Sequence, residues 1–171
     1  MPDVDSSPLD PLYEAVGRAV ISTAGLEVWL YIAVSTFTSR TYDQADKANA
    51  SDAIRRLSLL TEAMPSEERD HYADVISTAR RVTEDRNGLS HGVWWPNGDH
   101  TVIQSQRPPR IKEDSLSHDP NRPAWIKKTF TRRSLLALCD DCRWACGQFQ
   151  INLTRWGDML PQHRFEQTDH P

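Results

Sequence analysis

The segment RNGLSHG, Arg86 to Gly92, holds three side chains able to act on a phosphate ester. An unperturbed imidazole titrates near neutral pH, so a histidine is the side chain best suited to take or give a proton, and His91 supplies one. Arg86 brings a guanidinium fork that can neutralise charge developing on a phosphoryl oxygen, and Asn87 can orient either the imidazole or the substrate. This chemistry needs no metal and no cofactor. On a helix Asn87 and His91 are i, i+4 neighbours and share a face with Glu84, whereas Arg86 falls on the apolar stripe of Val75, Ala79 and Val82. Arg86 is therefore aimed inward or at a partner surface. Arg86 and His91 stand five residues apart, about 7.5 Å of rise and about 140° of rotation, so one helix does not converge them on a single atom. Two copies related by a two-fold axis would line a cleft with two Arg and two His. The same residues also admit a structural role, in which Arg86 and Asn87 cap a helix end and pair with Glu84 or Asp85.

Other reactive groups are fewer. Glu27 is a carboxylate in an otherwise apolar helix and needs a cation or a hydrogen-bond donor; Arg86 or His91 is one candidate, and Arg18, Arg80 or Arg81 the alternative. Cys139, Cys142 and Cys146 continue the apolar stripe of Leu135, Leu138, Phe149, Leu153 and Trp156. With no fourth ligand nearby they read as small core hydrophobes and not as a zinc site. Trp94, Trp95 and Trp125 could stack on bases, but packing against the core is favoured.

Four helices are expected to position these groups. Leu12, Val16, Ala19, Val20, Thr23, Leu26, Leu30, Val34 and Phe37 recur at helical spacing, so a first helix runs from about Leu9 to Phe37. Ser22, Thr23 and Glu27 interrupt its apolar run well short of the roughly 18 residues of a membrane span. A second helix is predicted over Asp43 to Met64, and a third from an N-cap at Ser66 toward Leu89, ended by Gly88 and Gly92. WWPNGDHTVI reads as a β-hairpin with its turn at Pro96 to Asp99, and QRPPRIKEDSLSHDPNRP as a mobile loop. Thr131 or Ser134 opens a fourth helix that reaches about Leu160. The expectation is a single all-α domain: an antiparallel up-down four-helix bundle, core about 9–160, with a small β-hairpin insert at about 92–130 and frayed ends.

Arg86, Asn87 and His91 at the end of a third core helix resemble the signature of the HEPN family, small helical bundles that typically dimerise and are often metal-independent ribonucleases in toxin, defence or RNA-processing systems. The motif there is an Arg, four to six residues, then a His, usually with a polar residue after the Arg. The resemblance implies a homodimer acting on RNA, with Arg86, Asn87 and His91 catalytic, Glu27 and Glu84 supporting them, and a neutralising antitoxin or regulatory protein as a further partner. Some members carry a Tyr two residues after the His, where a partner enzyme modifies it; here Val93 stands at that place. The alternative is a catalytically silent HEPN-like dimerisation or nucleotide-binding scaffold.

The 171 residues carry 20 Lys and Arg against 24 Asp and Glu, a net charge of -4 that by itself weighs against a phosphate-binding partner. The charge is unevenly spread. Residues 86–133 hold nine Lys or Arg and four acids, a local excess of +5, and within them Arg107, Arg110, Lys112, Lys127 and Lys128 are the candidate RNA contacts. The first residues are polar and acidic, with no secretory pattern, and a cytoplasmic protein without membrane partners is expected.

Overall fold

The computed structural model describes residues 10–38, 49–91, 93–97, 102–107 and 126–160. They are mostly helical: α1 (Asp10–Phe37), α2 (Ala50–Leu59), a 3-10 turn (Thr61–Ala63), α3 (Ser66–His91), strands β1 (Val93–Pro96), β2 (Val102–Arg107) and β3 (Ile126–Thr131), and α4 (Arg132–Met159). The expected frayed ends and the middle of the loop lie outside the described residues.

The three long helices follow the apolar periodicity. Leu12, Val16, Ala19, Leu26, Leu30 and Val34 of α1 meet Val75, Ile76, Ala79 and Val82 of α3 and Leu135, Leu138, Cys142, Phe149 and Trp156 of α4 in one buried core. α1 and α3 run antiparallel, since Glu27 pairs with Arg86 while Phe37 packs on Tyr72 with ring centroids 6.5 Å apart. α3 and α4 are also antiparallel, with Arg81 on Asp141 near one end and Glu68 on Arg155 and Trp156 at the other. α1 and α4 are consequently parallel: Gly157 lies against Thr36 and Phe37, and Leu136 and Cys139 lie beside Arg18 and Ile21. Strict up-down alternation does not hold, because α2 is too short to serve as a return helix. Its 10 residues span about 15 Å, against about 42 Å for the 28 of α1.

Asn49 caps α2 at a φ of 75° and a ψ of 160°, a conformation that L residues rarely adopt, with its side-chain oxygen accepting from the Asp52 N–H at 3.2 Å. The predicted continuation to Met64 fails at Leu60, where the chain tightens into the 3-10 turn. The predicted first residues of this helix, 43–48, lie outside the described residues. α3 starts one residue earlier than an N-cap at Ser66 implies, since the Pro65 carbonyl already accepts from Glu68 and Arg69. For α4 both candidates take part: Thr131 and Ser134 form a reciprocal capping box.

The insert is a three-stranded antiparallel sheet, order β1-β2-β3, and not an isolated hairpin. The expected β1–β2 pairing is present, with Pro96 opposite Ile103. β2 also runs through Gln106 and Arg107, residues assigned to the loop, because β3 offers it a second ladder from Val102 opposite Thr131 to Arg107 opposite Ile126.

Pro11–Phe37 is long and apolar enough to cross a membrane, with a mean hydropathy of 1.5 over its best 18 residues. Ser22, Thr23 and Glu27 break the apolar run, which predicts no span, yet the average hydropathy of the helix reaches that of one. A core helix of a soluble protein passes the same test, and one side of α1 is core.

Candidate functional site

The last two turns of α3 are fastened to the sheet. Gly88 was expected to end the helix; it lies inside it instead, and its missing side chain makes room for β3. A Cβ there would stand 3.2 Å from the Lys128 Cδ and 3.4 Å from the Phe130 ring. Lys128 Nζ donates to the Asp85 carboxylate at 2.5 Å, one turn before Gly88. The Trp94 indole N–H donates to the Leu89 carbonyl at 2.7 Å, satisfying one of the acceptors a helix C-terminus leaves open. Gly88→Val is expected to cost about 1–3 kcal/mol by overpacking, outweighing the better helix propensity. Urea unfolding measures it, and a stability equal to wild type would show that the sheet yields.

This anchoring sets out the motif. Arg86 and Glu27 meet across the α1–α3 seam, with Nη1 to Oε1 at 3.3 Å and Nη2 to Oε2 at 3.5 Å and side chains 28% and 19% exposed. The structure thus joins two residues 59 positions apart, and the alternative partners of Glu27 are engaged elsewhere: Arg18 with Glu14, Arg80 with the Ser58 hydroxyl and Arg81 with Asp141. Asn87 is half-buried, and Glu84 and His91 are exposed. Arg86 faces the seam and His91 the solvent, so one chain does not bring them onto one atom.

Among the RNA-contact candidates, Lys127 is exposed on β3 and Arg107 lies in β2, while Arg110 and Lys112 fall outside the described residues. Lys128 is corrected: strand alternation turns it toward α3, where Asp85 claims its charge. Sequence reasoning missed this pair and the Trp94 cap, although Asp85, Gly88 and Leu89 at i, i+3, i+4 do mark a third face on α3. Trp94 packs against the core as favoured, Trp95 is exposed, and Trp125 lies outside the described residues.

Cys139 and Cys142 are buried in the core and Cys146 is half-buried, all as free thiols. Desolvation, helped by Cys146, Cys139 and Asp141, pushes the Cys142 thiol up to about 12, so it is inert packing at neutral pH. A groove between α1 and α4 contains Arg18 and Arg143, but Glu14 and Asp140 already pair with them.

Fold and site together define a mostly helical protein whose Arg and His stand at the sheet-fastened end of its third helix. Comparison with protein-family models, characterised proteins and solved structures brings out no match for this chain.

Proposed function

We propose that this chain is a HEPN-like endoribonuclease, active without metal as a homodimer in a cytoplasmic toxin, defence or RNA-processing role, with a neutralising or regulatory protein as its counterpart. In this reading α1, α3, α4 and the short α2 are the members of a HEPN-type four-helix bundle. One observation carries the proposal: Glu27 holds Arg86 at the seam while His91 stands open, and Asn87 half-buried, on the same two turns. Glu27 accepts a hydrogen bond from Nη2 and lies 3.3 Å from Nη1, so others of the guanidinium's five N–H donors are left for a phosphate.

A second copy would complete the site. On α1 the positions Tyr13, Gly17, Val20, Ile21, Ala24, Gly25 and Val28 are exposed and carry no charge. The antiparallel packing of α1 on α3 sets the Val20–Val28 stretch at the height of Arg86 and His91. A dimer closed over this face would bring two motifs together. His91 would then take the proton of an RNA 2′-hydroxyl as its oxygen attacks phosphorus, and the second imidazole, protonated, would return a proton to the departing 5′-oxygen. Arg86 would hold the charge gathering on the phosphoryl oxygens, and the products would be a 2′,3′-cyclic phosphate and a 5′-hydroxyl.

The test incubates wild type and Arg86→Ala with RNA and with DNA in excess chelator, alongside the native mass. Wild type should be dimeric and cut RNA alone, and Arg86→Ala should cut about 10²–10³ times more slowly. Cleavage that disappears on chelation removes the metal-free mechanism. The silent-scaffold reading draws on the same ion pair, in which Glu27 already occupies Arg86; a dimer that leaves RNA whole would favour it.

A further inference from the structure

The sheet has a face that the cleavage reading does not use. In the antiparallel register Trp95, Gln104 and Thr129 form one cross-strand row, and Val93 and Lys127 close the ends of the next. Directly opposed residues share a face, so these rows look away from α3, while Trp94, Lys128 and Phe130 look toward it. The outward face is open, with Val93 62% and Trp95 37% exposed and Gln104, Lys127 and Thr129 exposed as well. The Trp95 indole is not loose there, because its N–H donates to the Gln104 Oε1 across the strand pair at 3.2 Å. Lys127, and Arg132 and Arg133 just beyond β3, are exposed and make no ion pair among the described residues; none of the five side chains placed on this face is an acid.

A fixed aromatic plate, flanked by unpaired cations and by amide and hydroxyl groups and, among the described residues, free of carboxylates, suits a chain of planar bases joined by phosphates. A protein partner would need a broader apolar patch than one Trp and one Val. Duplex RNA fits poorly, since its bases are already stacked on each other and offer no open ring face to Trp95. We propose that the outward face of the sheet binds single-stranded RNA, with a base stacked on Trp95, phosphates on Lys127, Arg132 and Arg133, and base edges read by Gln104 and Thr129. Trp95 lies four residues beyond His91, within about 14 Å along the chain, so a strand on this platform passes close to the imidazole. The proposal deepens the cleavage reading by saying where the substrate strand lies, yet it rests on its own observations and can be tested without cleavage.

The experiment uses the full chain carrying His91→Ala, and measures fluorescence anisotropy of a labelled oligoadenylate 12-mer, alone and annealed to oligouridylate, across a salt series. Trp95→Ala should weaken single-strand binding about 5- to 100-fold. Trp95→Phe should retain most of it, and Trp144→Ala, which removes an equally exposed indole on α4, should leave it unchanged. Lys127→Glu should weaken it and reduce the slope of log affinity against log salt by about one unit. Wild-type affinity in Trp95→Ala, equal loss in Trp144→Ala, or equal binding of the duplex overturns the proposal. If wild type cuts no RNA but Trp95-dependent binding holds, the cleavage reading fails and the platform stands; the reverse pattern fails the platform alone.

Discussion

His91→Ala is expected to slow RNA cleavage by about 10²–10⁴-fold, the usual contribution of a positioned general acid or base. That corresponds to about 3–5 kcal/mol of barrier, so a single-turnover gel assay in chelator separates the variant from wild type without ambiguity. The same substitution should hardly touch the fold. His91 is the exposed last residue of α3, and what it gives the folded state is a favourable charge at a helix C-terminus, about 0.3–1 kcal/mol when protonated. Thermal unfolding and native mass should therefore match wild type. Cleavage at the wild-type rate would remove His91 from the chemistry. A large fall in unfolding temperature would instead make His91 a structural residue and return the motif to the scaffold reading.

How much of this was legible in the sequence depends on range. α1, α3 and α4 could be read because each keeps an apolar stripe over seven or more turns, and a signal that long survives local exceptions. The Glu27–Arg86 contact was accessible for a related reason: each is a charged residue on or beside a stripe that must face the core, so each needed a partner. α2 was overread because Leu60 and Met64 continue the helical spacing through a 3-10 turn, and both are buried, so periodicity alone does not reveal the tightening. Gly88 reads as a stop in the sequence because Gly in a helix is unfavourable by itself. Only β3, some forty residues further on, shows that the gap it leaves is filled by Lys128 and Phe130. The third strand and the turning of Lys128 toward Asp85 depend on pairing register, which no single segment carries. The parallel course of α1 and α4 follows from the shortness of α2, and was missed with it.

Glu68→Ala should destabilise the protein by about 3 kcal/mol. Glu68 is in the first turn of α3 and only 8% exposed; it accepts from Arg155 of α4 and, at 3.2 Å, from the indole N–H of Trp156. Trp156 is wholly buried and packs edge-on against Tyr72, with centroids 5.1 Å apart, and against Phe149 at 6.3 Å. Removing the carboxylate strands that N–H in the core, which costs about 1–3 kcal/mol. Loss of the Arg155 pair adds less than about 1 kcal/mol, because Arg155 is largely exposed and its charge is screened. The vacated volume and the lost favourable charge at a helix N-terminus make up the rest. For a chain of this size the unfolding temperature should fall by about 6–12 °C. Glu68→Gln, which still offers an oxygen to the indole, should lose about a third as much; equal losses in the two variants would show that charge, and not the Trp156 hydrogen bond, is what matters. The residue bears on the site through geometry. Glu68 and Arg86 are eighteen residues apart, about 27 Å and five whole turns, so they project from the same side of α3. One ties the start of α3 to α4, and the other ties its end to α1 at the motif. Below its lowered melting temperature Glu68→Ala should still hold Arg86 on Glu27 and, on the cleavage reading proposed above, match the wild-type rate on RNA, which distinguishes a clamp on the fold from a member of the site.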